Sequence, residues 1–309
     1  MDKRNVILVI NKTRFQLLVE RFNTINQAKF YIEHSGGDFS DYVKENEQFT
    51  RSLNAVQTVL SRNYRYKIVE RKFLTNYIFA EDDIVVILGQ DGLVANVAKY
   101  ATDLPIIAVN PDVDRFDGQL LPFNCDNFET ALKKTCQHEA TIQRVSMAEA
   151  VTNDRQRILA FNDLFIGPKS HLSARYSIEF KKHIERQSSS GIIVSTGAGS
   201  TGWLSSLINM HDGIARMFGL LSAEQRHTFT LSPESEQLMF IVREPFESKY
   251  SSVGLCGGAI DKDEELILES FMPTGGVIFS DGIENDFLTF NAGTTATIRL
   301  ASEKALLVK

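Results

Sequence analysis

Gly191-Ile192-Ile193-Val194-Ser195-Thr196-Gly197-Ala198-Gly199-Ser200-Thr201-Gly202-Trp203-Leu204-Ser205-Ser206 is the stretch on which the reading of this chain turns. A short β-branched run, Ile192 to Val194, enters a loop crowded with glycines and hydroxyl residues. An apolar-periodic segment follows, with Trp203, Leu204, Leu207 and Ile208 spaced as one helical face. Strand, small-residue loop and helix start together aim backbone N–H groups and hydroxyls at a ligand. The glycines admit positive φ and close backbone approach, and Ser200 or Thr201 is expected to cap the helix. An ordinary turn that needs glycines for its own geometry has the same composition, so this loop alone does not establish a function.

A second loop of the same kind lies upstream. Ile84-Val85-Val86-Ile87-Leu88, the most apolar strand candidate, ends in Gly89-Gln90-Asp91-Gly92, and Leu93, Val94, Val97 and Ala98 continue in a helical pattern. An Asp at the tip of a parallel strand, beside a phosphate-binding turn, can accept a proton or hold a Mg²⁺-bound water. A helix N-cap with glycines for the turn is the alternative.

Around these loops the chain divides in two. Val6 to Ile10 reads as a buried first strand, with Asn11-Lys12-Thr13-Arg14 at its carboxyl end, either a ligand position or a solvated turn. Residues 17 to 60 carry mixed helical periodicity. The Gly36-Gly37-Asp38 within them follows no apolar strand and reads as a polar surface loop. Tyr66 to Glu70 and Pro105 to Asn110 are further strands, a loop runs from Pro111 to Gly118, and Phe128 to Cys136 is helical.

From about Ala140 the segments become strand-rich: Ile158–Phe161, Tyr176–Phe180, Gln237–Val242, Leu266–Leu268 and Gly276–Phe279. Lys181 to Ser190 reads as a polar connector, and Met210 to Phe218 as helical. The expected fold is an α/β N-terminal domain, Rossmann-like with a mostly parallel sheet, over residues 1–138. A β-rich domain follows over 139–289.

Composition narrows the function classes. At 309 residues two domains are the default, and 43% hydrophobic with 23% charged residues excludes a disordered chain. A net charge of −6 argues against nucleic acid or an anionic membrane surface as partner. Cys125, Cys136 and Cys256 have no CxxC spacing and read as reduced thiols of an intracellular protein. The six histidines form no HxxxH pair, so no metal bound by side chains is expected. Val6–Ile10 is too short for a signal-peptide core, and no apolar run reaches membrane length, so a soluble, cytoplasmic protein is expected.

Four separated motifs carry a resemblance. Gly89-Gln90-Asp91-Gly92 is similar to the GGDG of NAD kinases and their distant lipid-kinase and phosphofructokinase relatives. Phe161-Asn162-Asp163-Leu164-Phe165-Ile166-Gly167 resembles their Asn-Glu motif, the Ser195–Trp203 loop their TPTGSTAY-like segment, and Ser280-Asp281-Gly282 their late Asp-Gly. Lys12-Thr13-Arg14, the loop Asn110 to Leu120, Ser189-Ser190-Gly191 and Arg243-Glu244-Pro245 resemble the divergent mitochondrial-type branch.

The resemblance implies a two-domain NAD kinase that uses ATP, with Mg²⁺ on the nucleotide, to phosphorylate the adenosine 2′-hydroxyl of NAD. It also implies a homodimer or homotetramer, and a C-terminal tail of about 290–309 returning to the first domain. Asp91 matches the general base. Gly89, Gln90, Gly92 and Asn110 fall in the expected substrate- and cofactor-binding set, and Asn162 and Asp163 match the pair contacting the dinucleotide. Ser190, Thr196, Gly199, Ser200, Thr201, Gly202, Trp203 and Asp281 complete the expected binding set, with Trp203 as an aromatic wall in place of the family's Tyr. No residue is expected as a resident metal ligand.

Four positions depart from the pattern. Gln90 stands for a Gly, Leu93 for a Thr, Asp163 for the longer Glu, and Ser190 for the Asp of many bacterial members. They keep two other readings open: a nucleotide-binding relative with weak or no catalysis, and a related kinase of another alcohol.

Overall fold

A computed structural model describes residues 5–309; Met1–Arg4 lie outside the described residues. The described residues form two compact units, 5–143 with 306–309, and 144–305.

In the first unit the order is β1 (Asn5–Ile10), α1 (Arg14–Phe22), α2 (Ile25–His34), α3 (Phe39–Asn63), β2 (Arg65–Glu70), β3 (Ile84–Leu88), α4 (Asp91–Ala98), β4 (Pro105–Val109) and α5 (Phe128–Cys136). The strands pair in the order β2-β1-β3-β4, all parallel. Every residue of β3 is buried, as a parallel strand covered on both faces requires. Val6, Leu8, Val86 and Ile107 pack against Phe49, Val56 and Leu60 of α3 and Phe128 and Leu132 of α5. Thr13 is the N-cap of α1 in a capping box with Gln16, so Asn11–Arg14 forms a helix entry. Asp38 caps α3.

The second unit contains β5 (Ile142–Thr152), β6 (Arg157–Ala160), β7 (Asp163–Pro168), β8 (Ala174–Phe180), β9 (His183–Ser189), β10 (Ile192–Ser195), α6 (Trp203–Met217), β11 (Gln237–Val242), β12 (Gly257–Asp261), β13 (Leu266–Ser270), β14 (Gly276–Ser280), β15 (Ile283–Thr289) and β16 (Thr295–Val308). One sheet runs β12-β11-β10-β7-β14-β15, antiparallel throughout. Another runs β16-β13-β8-β9, with β5 and β6 attached through β16. Leu164, Ile166, Val194 and Phe240 from the first meet Ile178, Leu268 and Ile298 from the second in one core. The outer face of the six-stranded sheet, Phe165, Ile193 and Val277, is covered by Trp203 and Leu207 of α6. The last residues of β16 belong to the first unit, where Leu306 and Leu307 pair in parallel with Pro105 and Ile106.

Two sequence expectations change here. The polar stretch Lys181–Ser190 is a hairpin and not a connector. Lys181 and Lys182 take φ of 48° and 68° in a two-residue turn, and His183–Ser189 is a strand. Its inward residues are polar: the Tyr176 hydroxyl donates to Gln187 Oε1 at 2.9 Å and lies 2.8 Å from Ser189 Oγ, so no apolar alternation marks it. Neither Ser200 nor Thr201 caps α6, because both lie in a 3₁₀ turn, Ala198–Thr201, and the cap position falls to Gly202.

Candidate active site

In the first unit, the predicted residues gather at the carboxyl ends of β3 and β4, the usual ligand end of a parallel sheet. The Gly89 N–H donates to the Val109 carbonyl at 3.3 Å, which ties the two strand ends together. A Cβ on Gly89 would stand 2.7 Å from Leu93 Cδ2, so the turn is packed against the helix it starts. Gln90 is exposed at the N-cap of α4, with extended backbone and no side-chain capping bond. Asp91 is the first helical residue, and its Oδ1 accepts the Leu120 N–H at 2.7 Å. Over Gly92 there is nothing within 4 Å of a Cβ. Asn96, buried one turn on, donates to the Gly92 carbonyl at 2.9 Å.

Asn110 organises the loop that reaches Asp91. Its Nδ2 donates to the Phe116 carbonyl at 2.9 Å, and its Oδ1 accepts the Asp112 N–H at 2.9 Å. Gly118, at φ +63°, closes against it, with Nδ2 only 2.8 Å from a Cβ built there. Both ends of the Asn110 amide therefore shape the loop that delivers the Leu120 N–H.

In the second unit, the antiparallel strands β10, β7 and β14 bring three motifs to one end of their sheet. Ser195 stands opposite Asp163, and Ser280 opposite Leu164. Asp281 clamps the entry to β7: its Oδ1 accepts from the Asn162 N–H at 2.6 Å and the Asp163 N–H at 3.3 Å, and its Oδ2 from the Phe161 N–H at 3.1 Å. Thr196, wholly buried, donates its hydroxyl to the Phe161 carbonyl at 2.6 Å and its N–H to the Asn162 carbonyl at 2.9 Å. Gly199 sits so close that a Cβ would lie 2.2 Å from the Asn162 carbonyl oxygen.

Asp163 is the unusual group of this cluster. Its Oδ1 is buried without a hydrogen-bond partner. Burial first, then the Asp281 charge, pushes its pKa up to about 7, against the lowering effect of the Ser195 hydroxyl. A carboxyl held near its midpoint at neutral pH can donate or accept a hydrogen bond. An orphaned buried oxygen marks a position that a ligand hydroxyl or ring N–H would complete.

The remaining predicted residues lie apart from this cluster. Ser200 is buried, donates to the Gly197 carbonyl at 2.7 Å and accepts the Leu231 N–H at 3.1 Å, so it braces the loop from behind. Thr201 and Gly202 are exposed at the start of α6. Trp203 stacks on Phe165 at 5.9 Å between ring centroids and 8° between planes, with the Arg243 guanidinium 5.6 Å from its ring centroid. It lines a cavity of about 180 Å³ with Phe165, Lys169, Arg243 and Phe279. Ser190 lies beyond the opposite end of β10 from Ser195, roughly 10 Å or more away by strand rise. Its hydroxyl bonds Glu244. Sequence reading placed Leu120 in a resembling loop but missed that its backbone holds Asp91, and it missed Ser232, whose carbonyl would lie 1.9 Å from a Cβ on Gly197. Both act through the main chain, which leaves no side-chain signal.

The sequence matches no family model. It is 22% identical to mitochondrial NAD kinase 2 of Rattus norvegicus over 317 residues, covering 80% of this chain and 75% of the relative. An NAD kinase of Caldanaerobacter subterraneus is 30% identical over 136 residues, 41% of this chain and 47% of that protein. The sequence is thus similar to NAD kinases. The NAD kinase fold is shared with two solved structures of lower identity. Yeast NADH kinase complexed with NADH matches 99% of this chain and 83% of its own at TM-score 0.59 and 14% identity. An Archaeoglobus fulgidus NAD kinase in complex with ATP matches 98% and 93% at TM-score 0.54 and 16% identity.

Proposed function

We propose that this chain is an NAD kinase, moving the γ-phosphoryl group of ATP to the 2′-hydroxyl of the adenosine ribose of NAD. The observation that carries the reading is Asp91, fixed by the Leu120 N–H on the first turn of α4 at the carboxyl end of β3. One carboxylate oxygen is held by that bond, and the carboxylate accepts the 2′-hydroxyl proton as the new O–P bond forms and the bond to the β–γ bridging oxygen breaks. Phosphoryl transfer asks mainly for positioning and charge neutralisation, so one base with backbone donors is sufficient. Asn162 and Asp163 contact the dinucleotide, with the orphaned Asp163 Oδ1 completed by a ribose or adenine group.

Mg²⁺ carried by the nucleotide would supply charge neutralisation to the transfer. Both Asp281 oxygens and one Asp91 oxygen already accept backbone N–H groups, which fits a metal held chiefly by the substrate. A homodimer or homotetramer and a cytoplasmic location belong to the same proposal. Among the described residues, no helix is long and apolar enough to cross a membrane.

The exposed Gln90 at the phosphate-facing turn favours a second reading, a relative that binds NAD with little catalysis. Purified protein incubated with Mg²⁺-ATP and NAD should form NADP. Calorimetric NAD binding without NADP formation would instead select the second reading, and neither binding nor turnover would reject both.

A further inference from the structure

We propose that His211, Asp212 and His227 form a binding site for a divalent transition metal of the zinc type, which fastens the segment after α6 behind the glycine loop. His211 and Asp212 lie on α6, and His227 lies in the run between Met217 and Gln237, which contains no helix or strand. Asp212 is buried, with 2% of its surface exposed, while both imidazoles reach solvent. The three ligand atoms lie within 4.8 Å of one another.

The carboxylate is divided between two tasks. Its Oδ2 accepts the His227 backbone N–H at 2.7 Å, which sets the segment against the helix. Its Oδ1 faces Nδ1 of His227 at 2.7 Å and Nδ1 of His211 at 3.3 Å. Around a tetrahedral zinc with bonds of 2.0–2.1 Å, neighbouring ligand atoms stand about 3.3 Å apart. The His211 contact already has that spacing. The His227 contact, at 2.7 Å, has to lengthen to reach it, and its ring is exposed.

Two imidazoles and one carboxylate select zinc or cobalt over magnesium or calcium, which prefer all-oxygen shells, and they leave a fourth position for water. The separation of sixteen positions between His211 and His227 shows no local metal-binding spacing, and the fold brings the pair together. Four residues after His227, the Leu231 N–H donates to Ser200 Oγ at 3.1 Å, and the Ser232 carbonyl lies against Gly197. A metal at His227 therefore pins the strap that supports the Thr196–Gly202 loop.

The test is calorimetric titration with Zn²⁺ of the wild type, His211→Gln and His227→Gln, paired with trypsin digestion at the exposed Arg226. Both substitutions are at exposed side chains and leave Asp212 in place. One zinc per wild-type chain is expected, weakened in each variant by about tenfold or more. Zinc should also slow cleavage after Arg226 in the wild type and leave it unchanged in the variants, whereas Mg²⁺ should slow none of them. Unaltered zinc affinity in either variant, no zinc uptake by the wild type, or cleavage insensitive to zinc overturns the proposal.

Discussion

Asp91 and Asp163 are carboxyl groups in opposite circumstances. Asp91 has a backbone donor, and Asn at that position keeps an oxygen for the Leu120 N–H while losing proton acceptance. In Asp91→Asn, kcat for NADP formation should fall by about 10²–10⁴-fold with KM for NAD little changed, as general-base removal typically does. An unchanged kcat with a lowered melting temperature would make Asp91 a loop anchor only. Asp163 is instead a source of pH-dependent instability. Its folded pKa of about 7 lies above the ordinary 3.8, so between these values the native chain holds a proton that the unfolded chain has released. That contribution is complete below pH 3.8 and is lost as pH rises through about 7. Asp163→Asn should therefore flatten a decline whose slope is at most about 1.4 kcal/mol per pH unit across that window. Denaturant unfolding of both proteins from pH 4 upward reads the gap, and parallel curves would show that Asp163 does not titrate as described.

At the scale of elements, the glycine loops are two different devices. Gly199 is closed by contact, 2.2 Å from the Asn162 carbonyl, whereas Gly92 lies open with nothing within 4 Å. Gly199→Ala should force the loop away from β7 and lower stability by about 1–3 kcal/mol, the usual range for overpacking. Gly92→Ala should raise the melting temperature, since Ala gains up to about 1 kcal/mol over Gly inside a helix. If phosphate passes over Gly92, the same change raises KM for ATP. A destabilised Gly92→Ala would contradict the open geometry. Apolar patterning exposed β3 and β11 because their buried faces are made of Ile, Val, Leu and Phe. It could not expose β9, whose buried Gln187 and Ser189 are satisfied by Tyr176 across the hairpin.

For the whole molecule, the end of the chain is structural. Leu306 and Leu307 extend the parallel sheet beside β4, and Leu307 and Val308 are each 2% exposed. Burial of each such side chain contributes about 1.5–3 kcal/mol. Removal of residues 306–309 should therefore lower the melting temperature of the first unit markedly, read by calorimetry against the intact chain. An unchanged transition would mean that these residues add nothing to it. The second unit has its own core between two sheets, from Leu164 and Phe240 on one side to Ile178 and Ile298 on the other.

By itself, the sequence determined the α/β half, the β-rich half and the residue types of the candidate site. Buried strands must be apolar, tight strand-to-helix turns need small residues, and both requirements are written locally. Asp91 stood out at such a turn, whereas Asn162 and Asp163 were marked only by the family resemblance. Their working state was decided only by tertiary structure. Asp281 clamps three N–H groups from residues about 120 positions away, leaving Asp163 Oδ1 unpartnered beside it. Ser200 turned inward to Leu231, and His227 came to rest on Asp212, by the same kind of long-range closure. Hydrogen-bond satisfaction and desolvation depend on which distant backbone arrives at a side chain, and no local period in a sequence records that arrival.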